Sequence, residues 1–299
     1  MRWKGRRQST NVEDRRGQSA SYASAGAAPM VLRLLPALVR TKVGRVLLIG
    51  GIAIFFGSRL LGIDLLPLLL GGGSPGSAEY QATPQERELA EFAAVILGDT
   101  EQTWGQLFSE RGGQYREPTL VLFTGRVNSA CGMASSAVGP FYCPADQQLY
   151  LDFSFFDDLA NRHGAPGDFA QAYVIAHEVG HHVQTLLGIS EEVRRQSRGR
   201  PEAEVNALSV RQELQADCFA GLWGHYANVD RQMLDPDDLA EALAAASAIG
   251  DDRLQREAGA SVVPDSFTHG SSAQRVEWFT RGFESGRLES CDTFAAAAP

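Results

Sequence analysis

The stretch "VIAHEVGHHVQ", residues 174–184, puts three of the chain's six histidines and a glutamate into six consecutive positions of an apolar run. On a helix, residues four apart share a face with Cβ atoms about 5–6 Å apart, so His177 and His181 can both reach one ion. Two imidazoles at that spacing suit zinc, which binds nitrogen at about 2.0–2.1 Å. Glu178 is turned about 100° from His177 and projects beside the ion, where it can take a proton from a water. The bland alternative is a pair of histidines satisfied on a core face.

A catalytic zinc takes three protein ligands and keeps a fourth position open. The continuation H-E-x-x-H-x-x-G-x-x-H is excluded, because Gln184 stands at its glycine and Leu187 at its last histidine. "RQELQADCFAGLW", residues 211–223, offers Glu213 and Asp217 one turn apart. Glu213 completes a His₂Glu set for one Zn²⁺, and Asp217 can accept the second ring N–H of a ligand histidine. Leu214, Ala216, Cys218, Phe219 and Leu222 argue against a solvated acidic face, and a buried carboxylate without a cation is costly. His182 lies about 100° from His181 and supports the site or the fold from outside the ligand set. Gly180 costs a helix about 1 kcal/mol relative to alanine and marks a place where another backbone passes close.

Charge divides the chain. Residues 1–45 hold ten basic residues against Glu13 and Asp14, a surplus of eight, so the net charge of −9 leaves the other 254 residues seventeen negative. No aromatic-basic interleaving or helix-turn-helix pattern supports nucleic-acid binding. Basic residues ahead of an apolar run, "VLLIGGIAIFFGS" from Val46 to Ser58, predict instead a single transmembrane helix within residues 46–70, with Arg59 near its outer end. The expected order is a basic cytoplasmic segment (1–45), the anchor (46–70), a flexible Gly/Ser/Pro linker (71–85), one domain (86–294) outside the cytoplasmic membrane and a disordered tail (295–299). A buried apolar hairpin is the alternative to the anchor. Cys131, Cys143, Cys218 and Cys291 suit two disulfides in an oxidising compartment, with three possible connectivities. Cys131 with Cys143 would close a short loop, and Cys218 with Cys291 would pin the C-terminal segment to a helix; four buried thiols are the alternative.

The pattern predicts a helix over 87–97, strands at "PTLVLF" (118–123) and "QLYLDFSF" (148–155), then helices over 168–188 with Asp168 as N-cap, 202–226 and 237–249. Few strands placed early and consecutive helices later make an α+β fold, a small N-terminal sheet with a helical remainder.

"MRWKGRRQSTNVEDRRG", "SACGMASSAVGPFYCPADQQLYLD", the histidine stretch, "RQELQADCFAGLW" and "HGSSAQRVEWFTRGF" together resemble the bacterial neutral zinc metallopeptidases of the YpfJ type, over nearly the whole chain. That resemblance implies a membrane-anchored hydrolase with a zincin-like domain. More distantly, a histidine helix, an E-x-x-x-D helix and a later T-H-x-x-x-x-x-R resemble the gluzincin arrangement of integral-membrane CaaX and heat-shock metalloproteases. This implies that Thr268-His269 and Arg275 lie near the substrate carbonyl, although Gly270 stands where proline is usual. His269 or Arg275 would stabilise the oxyanion; a structural hydrogen bond and a surface charge are the alternatives. The expected reaction is peptide hydrolysis with His177, His181 and Glu213 on zinc, Glu178 as general base, and "QLYLDF" or "LVLF" as an edge strand pairing with an extended peptide or protein substrate. A non-catalytic zinc-binding or interaction module and a zinc-dependent esterase or amidase are the rival functions. Oligomeric state is not readable from the residues.

Overall fold

The structure, a computed structural model, describes residues 1–18 and 80–295. The first long element, α1 (Pro84–Glu110), starts where Thr83 and Glu86 form a reciprocal capping box with Pro84 in the first turn. It runs thirteen residues past the expected end at Leu97. The continuation carries Asp99, Thr100, Glu101 and Thr103, whose polarity reads as loop but which are all buried. Arg231 clamps the Asp99 carboxylate with two hydrogen bonds of 2.7 Å, and Trp223 Nε1 donates to it at 2.8 Å. Asp99, Glu101 and Thr103 on this helix therefore have partners elsewhere in the fold, in Arg231, Arg7 and Ser9.

Strands β1 (Val12–Asp14), β2 (Thr119–Phe123), β5 (Phe141–Cys143) and β6 (Gln148–Asp152) form one sheet in the order β1-β2-β6-β5. The pairs β1–β2 and β2–β6 are parallel, and β5–β6 is antiparallel. A second, two-stranded sheet joins β3 (Arg126–Ser129) to β4 (Gly132–Ser135). Both segments expected at an edge, in β2 and β6, are therefore interior, and the edges belong to β1 and β5.

The helical remainder comprises α2 (Ser154–Asn161), α3 (Asp168–Leu186), α4 (Ile189–Ser197), α5 (Glu202–Val229), α6 (Asp238–Ala248), α7 (Asp251–Glu257) and α8 (Ser272–Ser285). Sheet and helices share a core that includes Phe92, Trp104, Leu122, Phe169, Tyr173, Leu214, Trp223 and Phe279. Glycines let the helices approach. A Cβ on Gly180 of α3 would lie 3.0 Å from the Ala216 carbonyl oxygen of α5, the close backbone passage that a glycine at this position predicts. Between α5 and α8 the fit is tighter, with a Cβ on Gly282 landing 2.0 Å from the Cys218 carbonyl oxygen. Two disulfides, Cys131–Cys143 and Cys218–Cys291, close the short loop and tie α5 to the C-terminal segment. No free cysteine remains.

The expected preceding transmembrane helix requires correction. No helix among the described residues is long and apolar enough to cross a membrane, and the expected anchor at 46–70 lies outside the described residues, as do most of the linker and residues 296–299. The described part of the basic head, residues 1–18, moreover, does not stand apart from the body. These residues belong to the same compact unit as the described residues 82–295, and β1 is hydrogen-bonded to β2. A single crossing between residues 18 and 82 would put those two strands on opposite faces of a bilayer, so the single-pass topology, with a cytoplasmic N-terminus and an external body, fails. The basic residues have local work: Arg7 pairs with Glu101 at 2.7 Å, Arg6 donates to the Arg231 carbonyl, and the Met1 ammonium lies 3.0 Å from Asp168 and 3.3 Å from Asp238. Asp168 is consequently not the N-cap of α3. Gly167 occupies that position at φ +123°, and Asp168 faces Met1.

Gly282→Ala should therefore lower the unfolding free energy by about 1–3 kcal/mol or more through overpacking. Gly105→Ala, in α1 with no atom within 4 Å of the added Cβ, should raise it by about 0.5–1 kcal/mol. Urea unfolding of the two variants checks both signs.

Candidate functional site

Helices α3 and α5 cross at Gly180 and Ala216, and the crossing sets two turns of side chains against each other. His177 and His181 on α3 face Glu213 on α5. His177 Nε2 lies 3.1 Å from one Glu213 oxygen and His181 Nε2 lies 3.4 Å from the other. The two imidazole rings stand perpendicular, with centroids 4.8 Å apart. One turn along α5, Asp217 is fully buried and engages the other nitrogen of His177, Nδ1, at 2.8 Å.

Asp217 gathers more than that histidine. Arg275 of α8 donates to both of its oxygens, Nε at 2.8 Å and a terminal nitrogen at 2.9 Å, and the Tyr173 hydroxyl donates at 2.5 Å. Burial pushes the Asp217 carboxyl up, but Arg275 and His177 beside it outweigh burial and hold it below the usual carboxylate range. Burial likewise opposes ionisation of Glu213, and the two imidazoles more than offset it, so Glu213 is held well below its ordinary value. Burial pushes His177 down while Asp217 and Glu213 draw it up, with a net rise; His181 rises for the same reason through Glu213.

A cleft of about 1260 Å³ opens on these groups. Glu178, His177, His181 and Glu213 line it, together with Phe141 and Tyr142 of the edge strand β5 and with His269 and Arg275. Of the two residues implied for an oxyanion, Arg275 is 2 % exposed and committed to Asp217, Tyr173 and the Ile249 carbonyl. His269 keeps about half of its side chain exposed and lies 3.2 Å from Asp251 through Nδ1. One Asp251 oxygen also accepts the backbone N–H groups of Thr268, His269 and Gly270, which fixes the turn that carries the histidine. His182 points elsewhere: Nε2 donates to the Arg116 carbonyl at 2.6 Å and Nδ1 lies 3.2 Å from the Tyr142 hydroxyl.

The model of the family described as "Putative neutral zinc metallopeptidase" matches residues 1–294. The Escherichia coli (strain K12) protein named "Uncharacterized protein YpfJ" is 50% identical over 295 residues, covering 98% of this chain and 99% of that one. The chain belongs to this zinc metallopeptidase family. A Mycobacterium tuberculosis (strain H37Rv) protein, "Uncharacterized protein Rv2575", is 46% identical over 193 residues, 61% of this chain and 64% of that one. No solved structure matches the chain.

The donor set suits the family's metal. One ligand atom from each of His177, His181 and Glu213 falls within 4.8 Å of the others, and donors about 2.0–2.2 Å from a tetrahedral ion lie about 3.4 Å apart. Another acidic group, Asp168 with Asp238 and Glu241, has comparable spacing, but the Met1 ammonium is bonded to Asp168 and Asp238. Two contributors escape a sequence reading. Tyr173 is four residues before His177, so its place on the same face could be counted, but nothing marks it as a partner of Asp217. Gln184 accepts from His181 Nδ1 at 2.9 Å and is a neutral amide without a motif.

Burial holds the His182 imidazole at about 4, against an ordinary value of 6.5. The neutral ring favours the folded state, and its contribution is complete above pH 6.5 and lost as pH falls toward 4, because the unfolded chain takes up the proton first. Between pH 7 and pH 4 this group should remove about 3 kcal/mol of stability. Urea unfolding at both pH values should show a smaller drop for His182→Gln than for the unaltered chain.

Proposed function

We propose that the chain is a peptidase that holds one zinc ion through His177, His181 and Glu213 and uses Glu178 as its general base. The observation that carries this reading is the approach of two imidazole Nε2 atoms and one carboxylate within a cleft that Glu178 also lines. A structural zinc is usually closed by four protein ligands rich in cysteine, whereas this group has three and both cysteine pairs are disulfides. That favours catalysis over a purely structural metal.

Zinc at this position supplies a Lewis acid that polarises a scissile carbonyl and acidifies water. Glu178 accepts the proton of the attacking water and returns it to the leaving amine. Asp217, anchored by Arg275 and Tyr173, keeps a proton acceptor at His177 Nδ1 and so reserves Nε2 for the ion. His269, on its Asp251-fixed turn, can donate toward the developing oxyanion, while the Arg275 guanidinium is spent on Asp217. The edge strand β5 replaces β2 and β6 as the strand that can pair with an extended substrate, since it lines the cleft.

Glu178→Gln should lose about 10²–10⁴-fold in peptide cleavage while keeping one zinc per chain, as removal of a general base requires. Glu213→Ala should lose the zinc itself. Casein and peptide cleavage with metal analysis measures both, and wild-type cleavage by zinc-loaded Glu178→Gln rules the mechanism out. Hydrolysis of ester or cell-wall substrates in place of peptides would reassign the substrate class.

A further inference from the structure

We propose that Gln184 is a positioning residue for His181, and that a relay of amides from the C-terminal segment decides which nitrogen of that histidine faces the metal. The proposal rests on the zinc site argued above. His181 Nδ1 lies 2.9 Å from Gln184 Oε1, and Gln184 is fully buried. Its amide nitrogen donates to the Gln212 carbonyl at 2.6 Å and to Gln215 Oε1 at 3.1 Å. Gln215 in turn donates from Nε2 to the Cys291 carbonyl at 3.0 Å.

The direction of this chain follows from its ends. Backbone carbonyls only accept, so the nitrogen of Gln184 must face Gln212 and the nitrogen of Gln215 must face Cys291. Each amide then has only its oxygen left for the next partner inward. Gln184 Oε1 therefore meets His181 Nδ1 as an acceptor, and that atom must carry the hydrogen. A neutral imidazole with Nδ1 protonated has its lone pair on Nε2, the atom 3.4 Å from Glu213. The alternative tautomer, with Nδ1 as acceptor, would need a flipped Gln184, whose oxygen would then face both the Gln212 carbonyl and Gln215 Oε1, so it is disfavoured at two contacts. The outer end is anchored covalently, because Cys291 is bonded to Cys218, one residue beyond Asp217 on the same helix.

His177 obtains the same selection from a charged group, Asp217, and His181 obtains it from a neutral one. Gln184 touches no substrate in this account and acts only through His181.

The test uses the full chain stripped of metal and titrated with Co²⁺ against a chromophoric chelator, reading affinity and the visible Co²⁺ bands. Gln184→Met, close in shape but without the amide oxygen, should bind Co²⁺ about 10–100-fold more weakly, with altered bands. Gln184→Glu, whose second oxygen is protonated to donate to the Gln212 carbonyl as the amide does, returns an oxygen to His181 and should recover more than half of that loss on a logarithmic scale. Circular dichroism of the metal-free forms checks that both fold. If Gln184→Met does not fold, Gln215→Leu serves with a smaller, several-fold loss expected, and no loss there overturns the relay. Wild-type affinity and bands in Gln184→Met, or equal weakness in the Met and Glu variants, overturns the role of Gln184. A chain that takes up no Co²⁺, or a His181→Ala variant that binds as tightly as wild type, brings down the metal site itself and this role with it.

Discussion

Asp217 is the point on which three helices agree. It belongs to α5, it is fully buried, and it is held by Arg275 from α8 and by Tyr173 and His177 from α3. Breaking a buried pair of this kind commonly costs about 3–5 kcal/mol, because the surviving charge is left without compensation. The interaction is possible only because the helices come close, which Gly180, Gly221 and Gly282 permit. Packing and electrostatics thus impose one requirement together. The backbones must touch for the carboxylate to reach its partners, and the carboxylate needs those partners to remain buried.

The same contacts divide the charge around the candidate metal centre. Asp217 is neutralised by Arg275, so it can orient His177 without adding a full negative charge beside the ligands. Among the three proposed ligands Glu213 alone brings net negative charge, so a divalent cation held by them would keep a positive balance. An ion in that condition is a stronger Lewis acid than one fully neutralised by its ligands. A neutral amide opposite His181 leaves this balance unchanged, whereas a second free carboxylate would have reduced it.

Legibility followed periodicity. His177, His181, Glu213 and Asp217 could be placed on facing turns because a helix repeats every 3.6 residues and the four stand at that spacing. The early strands and late helices of the α+β arrangement were visible for the same reason. What failed was anything depending on a distant partner. Asp99 and Glu101 look like loop residues until Arg231 and Arg7 are seen to pair with them across the fold. The arginines of the first eighteen residues, counted as charge alone, suggested a membrane flank. Their carboxylate partners lie as far away as Glu101 and Asp235. Strand order was illegible too, since β2 and β6 are buried on both faces after their first residue, and apolar character alone does not tell which strands flank them.

The parallel pairing of β1 with β2 carries a further consequence for how the chain is made. Residues 12–14 are made well before the strand they join, which lies over a hundred positions later, and Asp168 and Asp238, which bond the Met1 ammonium, come later still. Loop closure over such separations is slow relative to local helix formation. The leading segment must therefore wait, unpaired, until residues 119–123 have been synthesised, and the native sheet can be completed only once the strands at 141–143 and 148–152 have followed.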